Sequence, residues 1–184
     1  MTARPAPPAV ASPTGRWWRR FVPLAAVATV LGVLHHTDHI VRGNHVGWPL
    51  TEQVTPFTPS FLVYVLLLGG IYLTRRGKAG ARYWFFASAA MLALVLSVHF
   101  NPAPEGESMR DIYGPYADPA AYCGPAPPFD PPQAGAPRFL CRAPPRPWLG
   151  VLAAANMLLL AALLAALTVT AARAWWLRRR LADS

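Results

Sequence analysis

WLGVLAAANMLLLAALLAALTVTAA, residues Trp148–Ala172, runs for 25 residues without an Asp, Glu, Lys or Arg. A bilayer core of about 30 Å needs roughly 20 apolar residues in a helix, so this stretch is long enough to cross one. A soluble helix of that length would show a polar stripe at helical spacing, and none is present. Working back along the chain, YWFFASAAMLALVLSVHF over 83–100 has the same character. So does the segment over about 58–74, with FLVYVLLLGGIYLT at its centre. The first apolar run, FVPLAAVATVLGVLHHTDHIV over 21–41, ends in a polar cluster. Four such runs predict an all-α, polytopic membrane protein with four transmembrane helices.

Composition agrees. Of 184 residues, 54% are hydrophobic and 14% charged, which excludes a disordered chain for most of the length. Two cysteines exclude a small disulfide scaffold. Trp17, Trp18, Trp48, Tyr83, Trp84, Trp148, Trp175 and Trp176 flank the runs, where amphipathic rings favour the membrane–water interface. The net charge of +9 is distributed by topology. Twelve basic residues lie before the first span, between the second and third, and after the fourth, against five in the other two loops. That asymmetry puts both termini in the cytoplasm and makes nucleic acid an unnecessary partner; the partner is the lipid bilayer. Sixteen Arg against one Lys indicates a GC-rich, bacterial genome, hence a bacterial plasma membrane.

The expected organisation is a disordered cytoplasmic segment over 1–16, a transmembrane domain over 17–176 and a basic cytoplasmic tail over 177–184. Between the third and fourth spans lies an extracytoplasmic loop, 101–147, with 13 prolines among 47 residues. Proline fixes φ and removes a donor, which predicts extended chain and turns instead of a long helix. Both cysteines, Cys123 and Cys141, fall in this loop, on the oxidising side, and are expected to pair. Such a bridge is worth about 3 kcal/mol in the chain-entropy model. Tyr113, Tyr116, Tyr122, Phe129 and Phe139 give the loop apolar area for folding over the membrane face or for a protein partner.

The chemistry-bearing residues cluster. The five histidines are His35, His36, His39, His45 and His99, and four of them lie in HHTDHIVRGNH. At about 100° per residue, His35, Asp38, His39 and Arg42 share one helical arc, whereas His36 points about 100° away from His35. Ionisable groups at this depth face a bundle interior or a wet cavity. Imidazoles four residues apart can hold one metal ion, and His99 reaches the same depth from the third span. The candidate metal ligands are therefore His35, His39, Asp38 and His99. His36, Arg42 and His45 are outer partners or alternative ligands, and zinc, copper and iron all suit the donor set. Four other readings stay open: an electron-transfer subunit with a b-type haem held between the first span and His99, histidines that only meet water, headgroups or neighbouring backbone, a proton or substrate path, and a partner-binding role for the outer loop. No catalytic residue, partner identity or oligomeric state is legible.

His35-His36-Thr37-Asp38-His39 resembles the inverted zinc-protease pattern H-x-x-E-H with Asp in place of Glu, and no further acidic ligand stands out. The histidine boxes of membrane desaturases are a weaker resemblance, because this chain has too few histidines. Asn156, Ser97 and the pair Gly69-Gly70 are the remaining candidates for contacts between helices.

Overall fold

The computed structural model describes residues 13–100, 107–123 and 139–182, with side chains from Arg19 onward except that of Arg142. Residues 1–12 of the expected disordered start, the proline pairs at 127–128 and 131–132, and Phe129 lie outside the described residues, whereas 13–16, expected to be disordered, form the first turn of α1. Every element among those residues is helical: α1 Pro13–Arg42, α2 Phe57–Ser60, α3 Leu62–Arg75, α4 Ala81–His99, α5 Met109–Ala117, α6 Pro119–Tyr122 and α7 Pro147–Ala182, with a 3-10 turn at Leu140–Arg142. Four stretches are long and apolar enough to cross a membrane: Arg19–Arg42, Phe57–Arg75 (α2 and α3 together), Ala81–His99 and Pro147–Ala182. That is the pattern of a multi-pass membrane protein. At 1.5 Å per residue, α7 is about 54 Å long, so it outruns a 30 Å core and carries its last arginines beyond it.

α7 packs against α1, α4 and α5, while α3 packs against α1 and touches α4. The buried seam of α7 is Leu160, Leu164, Leu167, Ala171 and Ala174, spaced four, three, four, three. That spacing gives left-handed, coiled-coil-like packing. It meets Phe21, Ala25 and Ala28 of α1 and Trp84, Ala87 and Met91 of α4. Alanines at these positions let backbones approach closely, which drives helix association where lipid is as apolar as leucine. The outward faces remain apolar, with Val30, Leu62, Val65, Leu152 and Leu159 all more than half exposed. Such faces are compatible with lipid.

Polar contacts join the helices at a few points. Asn156 donates to the Leu31 carbonyl at 3.1 Å, bridging α7 to α1. Ser97 instead bonds Leu94 within its own helix; within α4 it is Ser88 that links helices, accepting from Thr168 of α7 at 2.9 Å. Trp84 was expected among the interfacial rings, but it is fully buried. It sits on the inward face of α4, and its indole donates to Thr74 at 2.9 Å, satisfying the N–H without water. Trp48, Trp148 and Trp176 are exposed.

Of the two adjacent glycines, only Gly70 is at a close approach. A Cβ there would stand 2.6 Å from Tyr83 Cε1 and 2.8 Å from Trp84 Cη2, whereas one at Gly69 meets nothing within 4 Å. Gly70→Ala is therefore expected to destabilise the bundle by about 1–3 kcal/mol through overpacking. Gly69→Ala should leave stability level or slightly raised. Thermal unfolding in detergent compares the two, and equal melting temperatures would contradict this packing.

The segment between α4 and α7 is more helical than its prolines imply. α5 starts at a capping box: Ser108 accepts from the Asp111 N–H while the Asp111 carboxylate accepts from the Ser108 N–H. Pro119 opens α6, where its missing N–H has no helical partner to lose. No described helix in this segment exceeds the 9 residues of α5. Cys123 and Cys141 are disulfide-bonded, tying the end of α6 to the 3-10 turn. The Arg146 N–H donates to the Tyr116 carbonyl at 2.7 Å, fastening α5 beside the start of α7. Tyr116 and Tyr122 turn inward and are buried, while Phe139 is exposed. This arrangement sets α5 beside the end of the bundle where α1 and α4 finish.

Candidate metal centre

α1 stops where glycine permits a reversal. Gly43 adopts φ 67°, and its N–H returns to the His39 carbonyl at 2.9 Å. A left-handed residue directly after the last helical one satisfies an orphan carbonyl, and glycine does so without steric cost. The turn brings the Asn44 carbonyl back over the helix end, 3.1 Å from His39 Nδ1.

Three histidines converge below that turn. His35 Nε2 lies 3.1 Å from His39 Nε2 and 3.1 Å from His99 Nε2. All three rings are buried, at 5–7% exposure. The fourth member is Glu107, from the chain just before α5. Its backbone N–H bonds the Val98 carbonyl at 2.9 Å, which aims the side chain at the cluster. Glu107 Oε2 stands 2.8 Å from His99 Nδ1 and 3.7 Å from His39 Nε2. One ligand atom from each of His35, His39, His99 and Glu107 falls within 4.8 Å of the others, a His/Glu group that could hold a metal ion.

Protons alone serve this arrangement poorly. The Asn44 carbonyl only accepts, so His39 Nδ1 carries the hydrogen and His39 Nε2 of the neutral ring is a bare lone pair. His35 Nε2 then faces two other ring nitrogens with at most one hydrogen of its own. If it donates, its one hydrogen is shared between His39 and His99, each of which presents a bare Nε2 once the Asn44 carbonyl and the Glu107 carboxylate take the Nδ1 hydrogens. If it accepts from His99, two bare nitrogens face each other. A cation bound to three bare Nε2 atoms removes the conflict. An ion with bonds of about 2.0–2.1 Å sets tetrahedral ligands roughly 3.3–3.4 Å apart, close to the separations found.

Charge points the same way. Arg42 is fully buried. It donates to Asp38 at 2.8 Å through Nε, with Nη2 in ion-pair contact 2.7 Å from the same oxygen, and through Nη1 to Asn44 Oδ1 at 2.9 Å, the Asp111 carbonyl at 3.2 Å and the Glu107 carboxylate. Burial alone would raise the Glu107 carboxyl, but the Arg42 guanidinium outweighs it, with His39 and His99 adding to the effect, and holds Glu107 well below the usual carboxylate range. Tyr116 donates to Asp38 at 2.5 Å. Its phenol is raised above the ordinary tyrosine value, chiefly by burial and then by the Asp38 charge, so it stays a donor. Two carboxylates thus share one guanidinium beside the imidazoles, an arrangement that favours an added positive charge, a proton or a metal ion, in the buried cluster.

The residues singled out in the sequence take different places. His35, His39 and His99 come together in the cluster. Asp38 does not join them; its oxygens are taken by Arg42 and Tyr116. His36 faces α3, with Nδ1 2.7 Å from the Tyr64 hydroxyl and Nε2 2.6 Å from Ser60 Oγ. His45, at φ 51°, lies beyond the Gly43 turn with its ring centroid 6.2 Å from that of His39. The acidic group that sequence reasoning missed is Glu107. The one available signal was Arg42: a guanidinium on a buried arc has five N–H donors, more than a single aspartate takes up. Axial haem ligands on one iron stand about 4 Å apart, twice a metal–imidazole bond. The 3.1 Å between His35 and His99 is shorter than that. No family model matches the chain, and no curated protein or solved structure matches it either.

Proposed function

We propose that this chain is a membrane metalloprotein that holds one first-row transition-metal ion at the histidine end of its bundle. His35, His39 and His99 bind through Nε2. Glu107 either completes the set or orients His99 through Nδ1, as carboxylates commonly do for metal-bound imidazoles. Arg42 and Asp38 position Glu107. The observation that carries the reading is the trio of convergent, buried Nε2 atoms at His35, which have at most one hydrogen to share. Three imidazoles with one carboxylate suit zinc, copper or iron. Three protein nitrogens with a further position open is also the pattern of metal sites that do chemistry instead of only bracing a fold.

The test is equilibrium dialysis of the chelator-stripped full chain against each ion, followed by elemental analysis. One ion per chain is expected for at least one of the three metals. Failure to retain any of them would leave the histidines as a buried polar network and end the proposal.

The site is read as extracytoplasmic, supported by the basic asymmetry of the loops and by the disulfide near it. On intact cells, reductant with an impermeant maleimide should label Cys123 and Cys141. Label that appears only after lysis would invert the orientation.

A further inference from the structure

The cluster has two unlike sides. Glu107 and Arg42 close one of them. The other opens onto a cavity of ≈ 80 Å³ inside the bundle, between α1, α3, α4 and α7. The rings of His35, His39 and His99 form part of its wall, and Glu107 does not reach it. Most of the remaining wall is apolar, including Val63, Met91, Val95, Leu160 and Leu164. The other polar wall residues are His45, from the chain after α1, and the pair His36 and Ser60, bonded to each other at 2.6 Å. No Asp, Glu, Lys or Arg lines the cavity, so a cationic ligand would lose its hydration there without gaining a counter-charge.

Size narrows the class further. Apolar cavities of about 150 Å³ stay dry and take benzene or xenon. A space of about half that volume takes a molecule of only a few heavy atoms. Such molecules, when uncharged and apolar, dissolve better in hydrocarbon than in water, so the bilayer around the bundle is their reservoir. We infer that the cavity is the ligand pocket of the metal centre, and that it admits a small uncharged gas molecule of the dioxygen, nitric oxide or carbon monoxide class. The gas enters from the lipid side and meets the ion's open position through the imidazole wall. This inference rests on the metal reading for the ion, but the cavity's affinity for apolar gas is independent of it.

The experiment has two arms, both on the full chain in lipid nanodiscs. In the first, xenon is titrated into metal-free protein and followed by its nuclear resonance shift. Saturable binding is expected, with a loss of at least tenfold in Val95→Phe, whose ring fills the cavity. Leu164→Phe serves as the second filling variant should the first fold poorly. No saturable xenon binding to the wild type would overturn the pocket whatever the metal does. In the second arm, copper(I)-loaded protein is exposed to carbon monoxide and the bound C–O stretch is read by infrared. One carbon monoxide per copper is expected, weakened at least 100-fold by either filling variant while copper content stays level. Copper retained without carbon monoxide binding would overturn the gas ligand and leave the metal centre standing. Wild-type protein that takes xenon but no copper(I) at this site would overturn the gas–metal meeting and leave only a gas cavity.

Discussion

Arg42→Met is expected to destabilise the chain by about 3–5 kcal/mol, the cost of breaking a buried ion pair by removing one partner. The guanidinium is fully buried and bonds Asp38, Asn44, Glu107 and the Asp111 carbonyl, so four partners lose a donor at once. Glu107 suffers most, because its side chain is wholly inaccessible and water cannot replace the guanidinium. Methionine conserves much of the volume, so the loss is electrostatic and not a cavity. The double variant Arg42→Met/Glu107→Gln should recover part of the loss, since the orphaned charge is gone. Asp38 keeps its bond from Tyr116 in both variants. Thermal unfolding of the three proteins measures the coupling. A single Arg42→Met variant within about 1 kcal/mol of wild type would show that the cluster is solvated.

The other large effect concerns metal affinity. His35→Ala, His39→Ala and His99→Ala should each weaken binding by more than about 100-fold, beyond the 10–100-fold that losing an outer partner costs. Glu107→Gln should fall within that 10–100-fold range if the carboxylate orients His99, and beyond it if the carboxylate binds the ion. His36→Ala should change affinity by less than about threefold, because its nitrogens face Tyr64, Ser60 and the Gly32 carbonyl. Competition with a chromophoric chelator reads all five variants. Equal losses in His36→Ala and His39→Ala would mean that the histidines act through packing and not as ligands.

The spans were legible because 20-residue apolar runs have few alternative explanations; most expected boundaries fall within two residues of the helices found, but α1 starts eight residues before Phe21 and α7 runs ten past Ala172. The histidine arc on α1 was legible for the same geometric reason: residues four apart on a helix share a face, and His35 and His39 bring their Nε2 atoms within 3.1 Å. Glu107 was not legible. It stands in aperiodic chain, 65 residues from Arg42 and 8 from His99, and no helical arithmetic carries a loop residue into a bundle. The Ser108-x-x-Asp111 cap that follows it is a readable start signal, and it was masked by the surrounding prolines. Trp84 misled for the opposite reason. A tryptophan at the first turn of a span fits an interfacial ring, and only the rotation of α4 about its axis, set by Gly70 and Thr74, turns it into the core. Asp38 has the right arc for a ligand, but a guanidinium one turn further on competes for the same oxygens.

The most direct measurement is X-ray absorption at the metal edge of the loaded, full-length chain. The account predicts one ion per chain with three imidazole nitrogens at about 2.0–2.1 Å, recognised by multiple scattering from the rings, and one light-atom ligand besides. Loss of one imidazole in His99→Ala would place α4 at the ion together with α1. A metal surrounded by oxygens with fewer than two imidazoles would contradict the centre described here.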